Sequence, residues 1–171
     1  TMADIDIFIR DSHDLNKIKQ IMQESGYAIR KEKNGEVDYL KSPVMNVEIS
    51  DDLLAEVQQK WKHYFKDYWN RAIHNKFCEY NQSDEDYFIY HIVHLSKHYS
   101  MYGIGIRPFL DIYVYLRAKP DLDWKYIYVE LEKLELDRFC ENCINLSQFW
   151  FGGGEKSDLI EEMSEYVIRS G

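Results

Sequence analysis

The sequence predicts an α+β protein, in which a small mixed sheet is followed by a helical bundle. Two observations support this prediction: apolar residues alternate with polar ones in short segments before Asp51, and they recur at helical spacing after it. At 171 residues, the chain is also long enough to bury a core. We therefore assign residues 1–50 to a partial α/β domain and residues 51–171 to a helical domain, and we expect no strand beyond residue 60.

The first predicted strand is the segment Asp4-Ile5-Asp6-Ile7-Phe8-Ile9. Side chains at i and i+2 of a strand lie on the same face, so Asp4 and Asp6 share one face and the isoleucines share the other. Two neighbouring carboxylates repel each other, and a divalent cation between them removes that repulsion. The alternative is an edge strand whose polar face is simply solvated, and the spacing alone leaves both interpretations open.

A helix and three further strands complete the predicted sheet region. Ser25-Gly26 is typical of a helix end, and Ser42-Pro43 predicts a break between the last two strands. In the last strand Glu48 lies on the polar side, as either a solvent-facing residue or a third acid beside Asp4 and Asp6. The predicted segments are a helix from Leu15 to Met22 and strands at 27–31, 37–40 and 44–50.

The second half of the sequence carries helix signals. Ser83, Asp123 and Ser157 are suited to cap the N-termini of helices, and Pro108 suits a first helical turn. Gly152-Gly153-Gly154 lacks the lysine and Ser/Thr of a phosphate-binding P-loop, so we interpret it as a helix end.

A histidine stripe, His91, His94 and His98, follows one side of the helix that begins after Ser83. Histidines at i and i+4 could chelate a metal, and a polar seam packed within the protein is the alternative. We predict that His94 and His98 form a hydrogen-bonded cluster with Arg107 and Asp111, which can pair with each other at i and i+4. The Arg107 guanidinium suits contact with a substrate phosphate.

Composition limits the partners. The net charge is −9 and the sequence pI is about 5.1, which disfavours DNA or RNA as a main partner. No apolar run is long enough to span a membrane and no signal peptide is visible, so no membrane association is expected. Cys140 and Cys143 lack a second cysteine pair, which argues against a zinc site. We predict reduced thiols and a cytoplasmic protein.

Taken together, these segments resemble the uncharacterised nucleotidyltransferase family with a DNA-polymerase-β-like catalytic core. The resemblance covers most of the chain. The segments that carry it are Asp4-Ile5-Asp6, Glu24-Ser25-Gly26-Tyr27, Val47-Glu48-Ile49, His94-Leu95-Ser96-Lys97-His98, Gly105-Ile106-Arg107 followed by Asp111-Ile112, and Asp123-Trp124.

The resemblance implies a sheet of nucleotidyltransferase topology and a magnesium-dependent transferase that binds ATP or another NTP. It gives Asp4, Asp6 and Glu48 the catalytic and metal-binding roles, with Mg²⁺ or Mn²⁺ as cofactor. Substrate contacts are predicted for His94, His98, Arg107 and Asp111. The expected reaction moves a nucleoside monophosphate from the NTP to an unknown acceptor with two-metal catalysis.

The sequence also departs from this family. Members carry a glycine-containing loop upstream of the D-x-D strand, whereas only Thr1-Met2-Ala3 precedes Asp4 here. We therefore expect the chain to begin late and to bind NTP weakly without that loop. The alternative function is a non-catalytic module that keeps the fold and binds a protein partner.

Overall fold

The computed structural model describes residues 5–10, 14–33, 36–43, 45–51, 59–101 and 103–171. The chain divides into two compact units, Thr1–Asn70 and Arg71–Gly171. The division expected after residue 50 stays a prediction. Helices and strands are both present, so the predicted α+β class is confirmed.

The first unit is built on a four-stranded mixed sheet of β1 (Ile5–Phe8), β2 (Ala28–Lys33), β3 (Glu36–Lys41) and β4 (Met45–Ser50). The strand order in this sheet is β1-β4-β3-β2. Strand β1 runs parallel to β4, and the other neighbouring pairs are antiparallel. The parallel pair brings the first and last strands of this region together. The helices of this region are α1 (Leu15–Glu24) and α2 (Gln59–Lys66), and the short α3 (Tyr68–Arg71) lies at the sequence boundary with the second unit.

One face of this sheet forms a hydrophobic core with α1. Val37, Tyr39, Val47 and Ile49 are buried there, and the side chains packed against them include Leu15, Ile18 and Met22. These three residues recur at helical spacing, so α1 turns one apolar side towards the sheet. Because side chains alternate along a strand, the polar residues between the core residues lie on the opposite face.

The second unit is mostly helical, and its helices begin where the sequence predicts. The Ser83 hydroxyl accepts a hydrogen bond from the Asp86 amide at 3.0 Å, and Asp123 accepts one from Tyr126 at 3.0 Å. Pro108 lies in the first turn of its helix. The helices are α4 (Asp84–Met101), α5 (Arg107–Ala118), α6 (Trp124–Leu134), α7 (Asp137–Phe151) and α8 (Asp158–Ser170).

The prediction of no strand beyond residue 60 is wrong. Strands β5 (Ile73–Lys76) and β6 (Glu79–Asn81) form an antiparallel hairpin in the second unit. All of their residues are exposed, so the hairpin does not need the apolar alternation by which buried strands are detected. Its short, polar strands therefore gave no sequence signal.

Within the ranges described above, no helix combines the length and the apolar character needed to cross a bilayer.

Candidate functional site

A row of carboxylates crosses the face of the sheet that lies opposite α1. Asp6 in β1 is the register partner of Glu48 in the parallel strand β4. Glu48 is in turn the register partner of Asp38 in the antiparallel strand β3. Register partners point to the same face, and neighbouring strands are about 4.8 Å apart. Three adjacent strands thus present acidic side chains side by side.

Burial increases along this row. Asp6 is exposed, Glu48 is half-buried, and Asp38 is only 4% exposed. The Asp38 Oδ2 atom accepts hydrogen bonds from Arg30 Nε at 3.2 Å and from Arg30 Nη2 at 2.8 Å. Among the residues that the structure describes, none donates a hydrogen bond to the buried Asp38 Oδ1 atom.

A β-bulge in β2 brings Arg30 to Asp38. The pairing of β2 with β3 shifts between Ile29, which is opposite Tyr39, and Lys31, which is opposite Asp38. Arg30 is the extra residue, and bulges commonly redirect a side chain in this way. The bulge therefore lets one edge cation contact the most buried acid of the row.

Aromatic rings adjoin the other end of the row. Phe8 follows Asp6 by two residues and so shares its face of β1. The Phe8 ring stacks on Trp69 at 5.3 Å between centroids and meets Tyr68 edge-on at 5.9 Å. The face thus combines an acidic row with an aromatic cluster from α3.

The donor chemistry of this face suits a magnesium or manganese ion. Asp6 and Glu48 offer hard carboxylate oxygens from neighbouring strands, and such oxygens are the ligands that Mg²⁺ prefers. Asp4 lies outside the described residues, so the convergence of all three predicted acids stays a prediction. Among the described residues, no group of three or more His, Cys, Asp or Glu side chains is arranged to hold a metal ion.

The predicted substrate contacts of the helical unit occur as two pairs. His94 Nε2 and His98 Nε2 are hydrogen-bonded at 3.2 Å on α4. Arg107 Nε and Asp111 Oδ2 are 3.9 Å apart at the start of α5, and both side chains are more than half exposed. Both groups are therefore accessible to solvent, and an exposed ion pair of this kind contributes little stability.

His91 interacts electrostatically with one member of each pair, His94 and Asp111. Burial lowers the pKa of His91. Two weaker effects raise it: the ring donates a hydrogen bond to the Pro108 carbonyl, and the Asp111 charge is nearby. The pKa of His94 is lowered to about 4, first by burial and then by the charges of His98, Lys97 and His91. At neutral pH, His91 and His94 are therefore uncharged.

Asp38 and Arg30 are the residues that the sequence interpretation missed. Asp38 interrupts an apolar strand, Val37-Asp38-Tyr39-Leu40, and a charged residue at the centre of such a strand is a detectable signal. The bulge that brings Arg30 to it has no comparable signal, because it depends on the pairing of two strands.

The chain was also compared with known proteins. Neither the curated proteins nor the solved structures contain a match to it. The family model described as "uncharacterised nucleotidyltransferase" matches residues 1–152. Since this match covers most of the 171 residues, the chain belongs to the uncharacterised nucleotidyltransferase family.

Proposed function

We propose that this protein transfers a nucleoside monophosphate from an NTP to an acceptor and releases pyrophosphate. The observation that carries the proposal is the register of β1 and β4, which makes Asp6 and Glu48 neighbours on one face. Membership of a nucleotidyltransferase family supports the same type of reaction.

In this proposal, the acidic residues have different roles. Asp4 and Asp6 would hold Mg²⁺ or Mn²⁺ together with Glu48, and the bound ions would neutralise charge on the phosphates. Glu48 is half-buried, so its carboxylate is shielded from water more than Asp6 is. It would accept the proton of the attacking hydroxyl, while Asp6 would help to hold the metal ion.

His94, His98, Arg107 and Asp111 are proposed to contact the substrate. The exposed Arg107 guanidinium presents the planar donor geometry that suits a phosphate oxygen pair. The neutral histidines offer uncharged ring nitrogens. In this proposal, Arg107 binds the anionic part of the substrate.

Calorimetric titration with each of the four NTPs and Mn²⁺ tests this function. Wild type, Asp6→Asn and Glu32→Gln should be compared. Glu32 is a matched control because it is an exposed acid of the same sheet on the opposite face, where Lys19 contacts it. Binding by wild type and Glu32→Gln but not by Asp6→Asn would support the proposal, whereas equal binding by all three would contradict the carboxylate site.

The second candidate is a non-catalytic module that binds a protein partner. Exposed apolar residues on α5 favour it, since Leu110 and Val114 are 41% and 55% exposed and lie one turn apart. Absence of NTP binding by wild type would favour this function over transfer.

A further inference from the structure

The geometry of His94 and His98 goes beyond what a substrate contact requires. Both lie on α4, one turn apart, and their Nε2 atoms are 3.2 Å from each other. Their ring centroids are 4.5 Å apart and the ring planes are inclined at 63°. The same nitrogen of each ring therefore points into the space between the two side chains.

This separation suits a shared metal ion. Two imidazole nitrogens bound at 2.0–2.1 Å to a tetrahedral ion lie about 3.3 Å apart. The observed separation of 3.2 Å is close to that value. A hydrogen bond between the rings uses the proton of one Nε2 atom and the lone pair of the other. A bound ion would use the lone pairs of both Nε2 atoms, with each neutral ring carrying its proton on Nδ1.

The two rings are also held in a suitable state. Tyr90 stacks on His94 with centroids 5.8 Å apart, which restricts rotation of that ring. Burial lowers the pKa of both histidines, and the nearby Lys97 charge adds to this effect. Neutral imidazole is the form that binds metal, so neither ring has to lose a proton to the solvent at neutral pH.

We propose that His94 and His98 form a two-histidine chelate for a divalent transition-metal ion of the zinc class. Nitrogen ligands favour Zn²⁺, Ni²⁺ or Cu²⁺ and are poor ligands for Mg²⁺, so this site is chemically distinct from the carboxylate row. Within the described ranges, no third His, Cys, Asp or Glu is arranged to join a metal group, so His94 and His98 are the two ligands of the proposed chelate.

Calorimetric titration with Zn²⁺ at pH 7 tests the chelate in the full chain. Wild type should bind one equivalent, and both His94→Gln and His98→Gln should weaken that binding at least tenfold. His91→Asn is the matched control, because His91 lies on the same helix and its Nε2 makes no hydrogen bond to a described residue. An asparagine amide can keep the hydrogen bond to the Pro108 carbonyl, and this variant should bind Zn²⁺ within about twofold of wild type.

A second measurement does not depend on any variant. In a long-range ¹H–¹⁵N spectrum of the wild-type imidazoles, Zn²⁺ should shift the Nε2 signals of His94 and His98 selectively among the six histidines. Millimolar Mg²⁺ should leave those signals unchanged. The proposal would be overturned by absent Zn²⁺ binding, by unchanged affinity in both glutamine variants, by a tenfold loss in His91→Asn, or by the same spectral shifts with Mg²⁺.

Discussion

Buried acidic side chains have different partners in the two units of the molecule. In the helical unit Asp86 accepts a hydrogen bond from the Tyr126 hydroxyl at 2.9 Å, and Arg71 lies 3.9 Å from its other oxygen. Arg71 also lies 3.8 Å from Glu130, to which Lys133 donates. Asp86 and Glu130 thus each have a charged or hydroxyl partner near both of their carboxylate oxygens.

Among the described residues, the buried acid of the sheet has a hydrogen-bond donor at only one of its two oxygens. Arg30 donates to Asp38 Oδ2, while no described residue donates to Asp38 Oδ1. A buried acceptor without a partner destabilises a fold by about 1–3 kcal/mol. The helical acids therefore act as internal cross-links. In the sheet, by contrast, no donor from the described part of the chain reaches one buried oxygen beside Glu48, on the face proposed for catalysis.

The largest effect is expected for Asp6 in the sheet, where a substitution should lower activity and leave stability almost unchanged. We expect Asp6→Asn to reduce metal-dependent pyrophosphate release from NTP by at least about a hundredfold. Its free energy of unfolding should stay within about 0.5 kcal/mol of wild type, because an exposed acid beside another acid stabilises little. Pyrophosphate release and urea unfolding measure the two effects, and Glu32→Gln serves as the control. Full release by Asp6→Asn would remove this residue from the site.

The helical cluster should respond in the opposite way. We expect Arg71→Met to lower the free energy of unfolding by about 3 kcal/mol, because Asp86 and Glu130 would lose a shared cation while remaining buried. Urea unfolding followed by circular dichroism measures this change. Arg169→Met is the control, since Arg169 pairs with Glu165 at an exposed position of α8. Equal stability of the two variants would show that the buried cluster is not a cross-link.

A smaller change is expected at the buried acid of the sheet. Asp38→Asn should alter the free energy of unfolding by about 1 kcal/mol, since it weakens the Arg30 contact and also removes a buried charge. The measurement is the same urea titration, run beside Arg71→Met. A loss as large as that of Arg71→Met would mean that Asp38 is as structural as Asp86, and the contrast between the units would disappear.

The smallest effects concern helix caps. Ser83→Ala should destabilise the protein by about 1 kcal/mol, because the Ser83 hydroxyl accepts from the Asp86 amide. Asp14→Ala should cost a few tenths of a kcal/mol at most, since the Asp14 side chain makes no cap hydrogen bond at α1. Thermal unfolding of both variants checks the difference. A larger loss for Asp14→Ala would show that the first unit also depends on its helix cap.

Local patterns determined much of this structure. Alternation in β1 and β4 defined their two faces, and the spacing of Leu15, Ile18 and Met22 defined the buried side of α1. The caps at Ser83 and Asp123 were visible because a capping side chain acts on an amide only three residues away. The α+β class follows from such patterns, since each depends on neighbours along the chain.

Only the tertiary structure decided which strands are neighbours. The parallel pairing of β1 with β4 makes Asp6 and Glu48 partners across about forty residues of sequence, and β3 adds Asp38 to their row. Alternation fixes the face of a side chain but not its partner, because strand pairing depends on hydrogen bonds between distant segments. The hairpin of β5 and β6 was not predicted from the sequence for a related reason. Its exposed strands are held by pairing with each other and not by an apolar face.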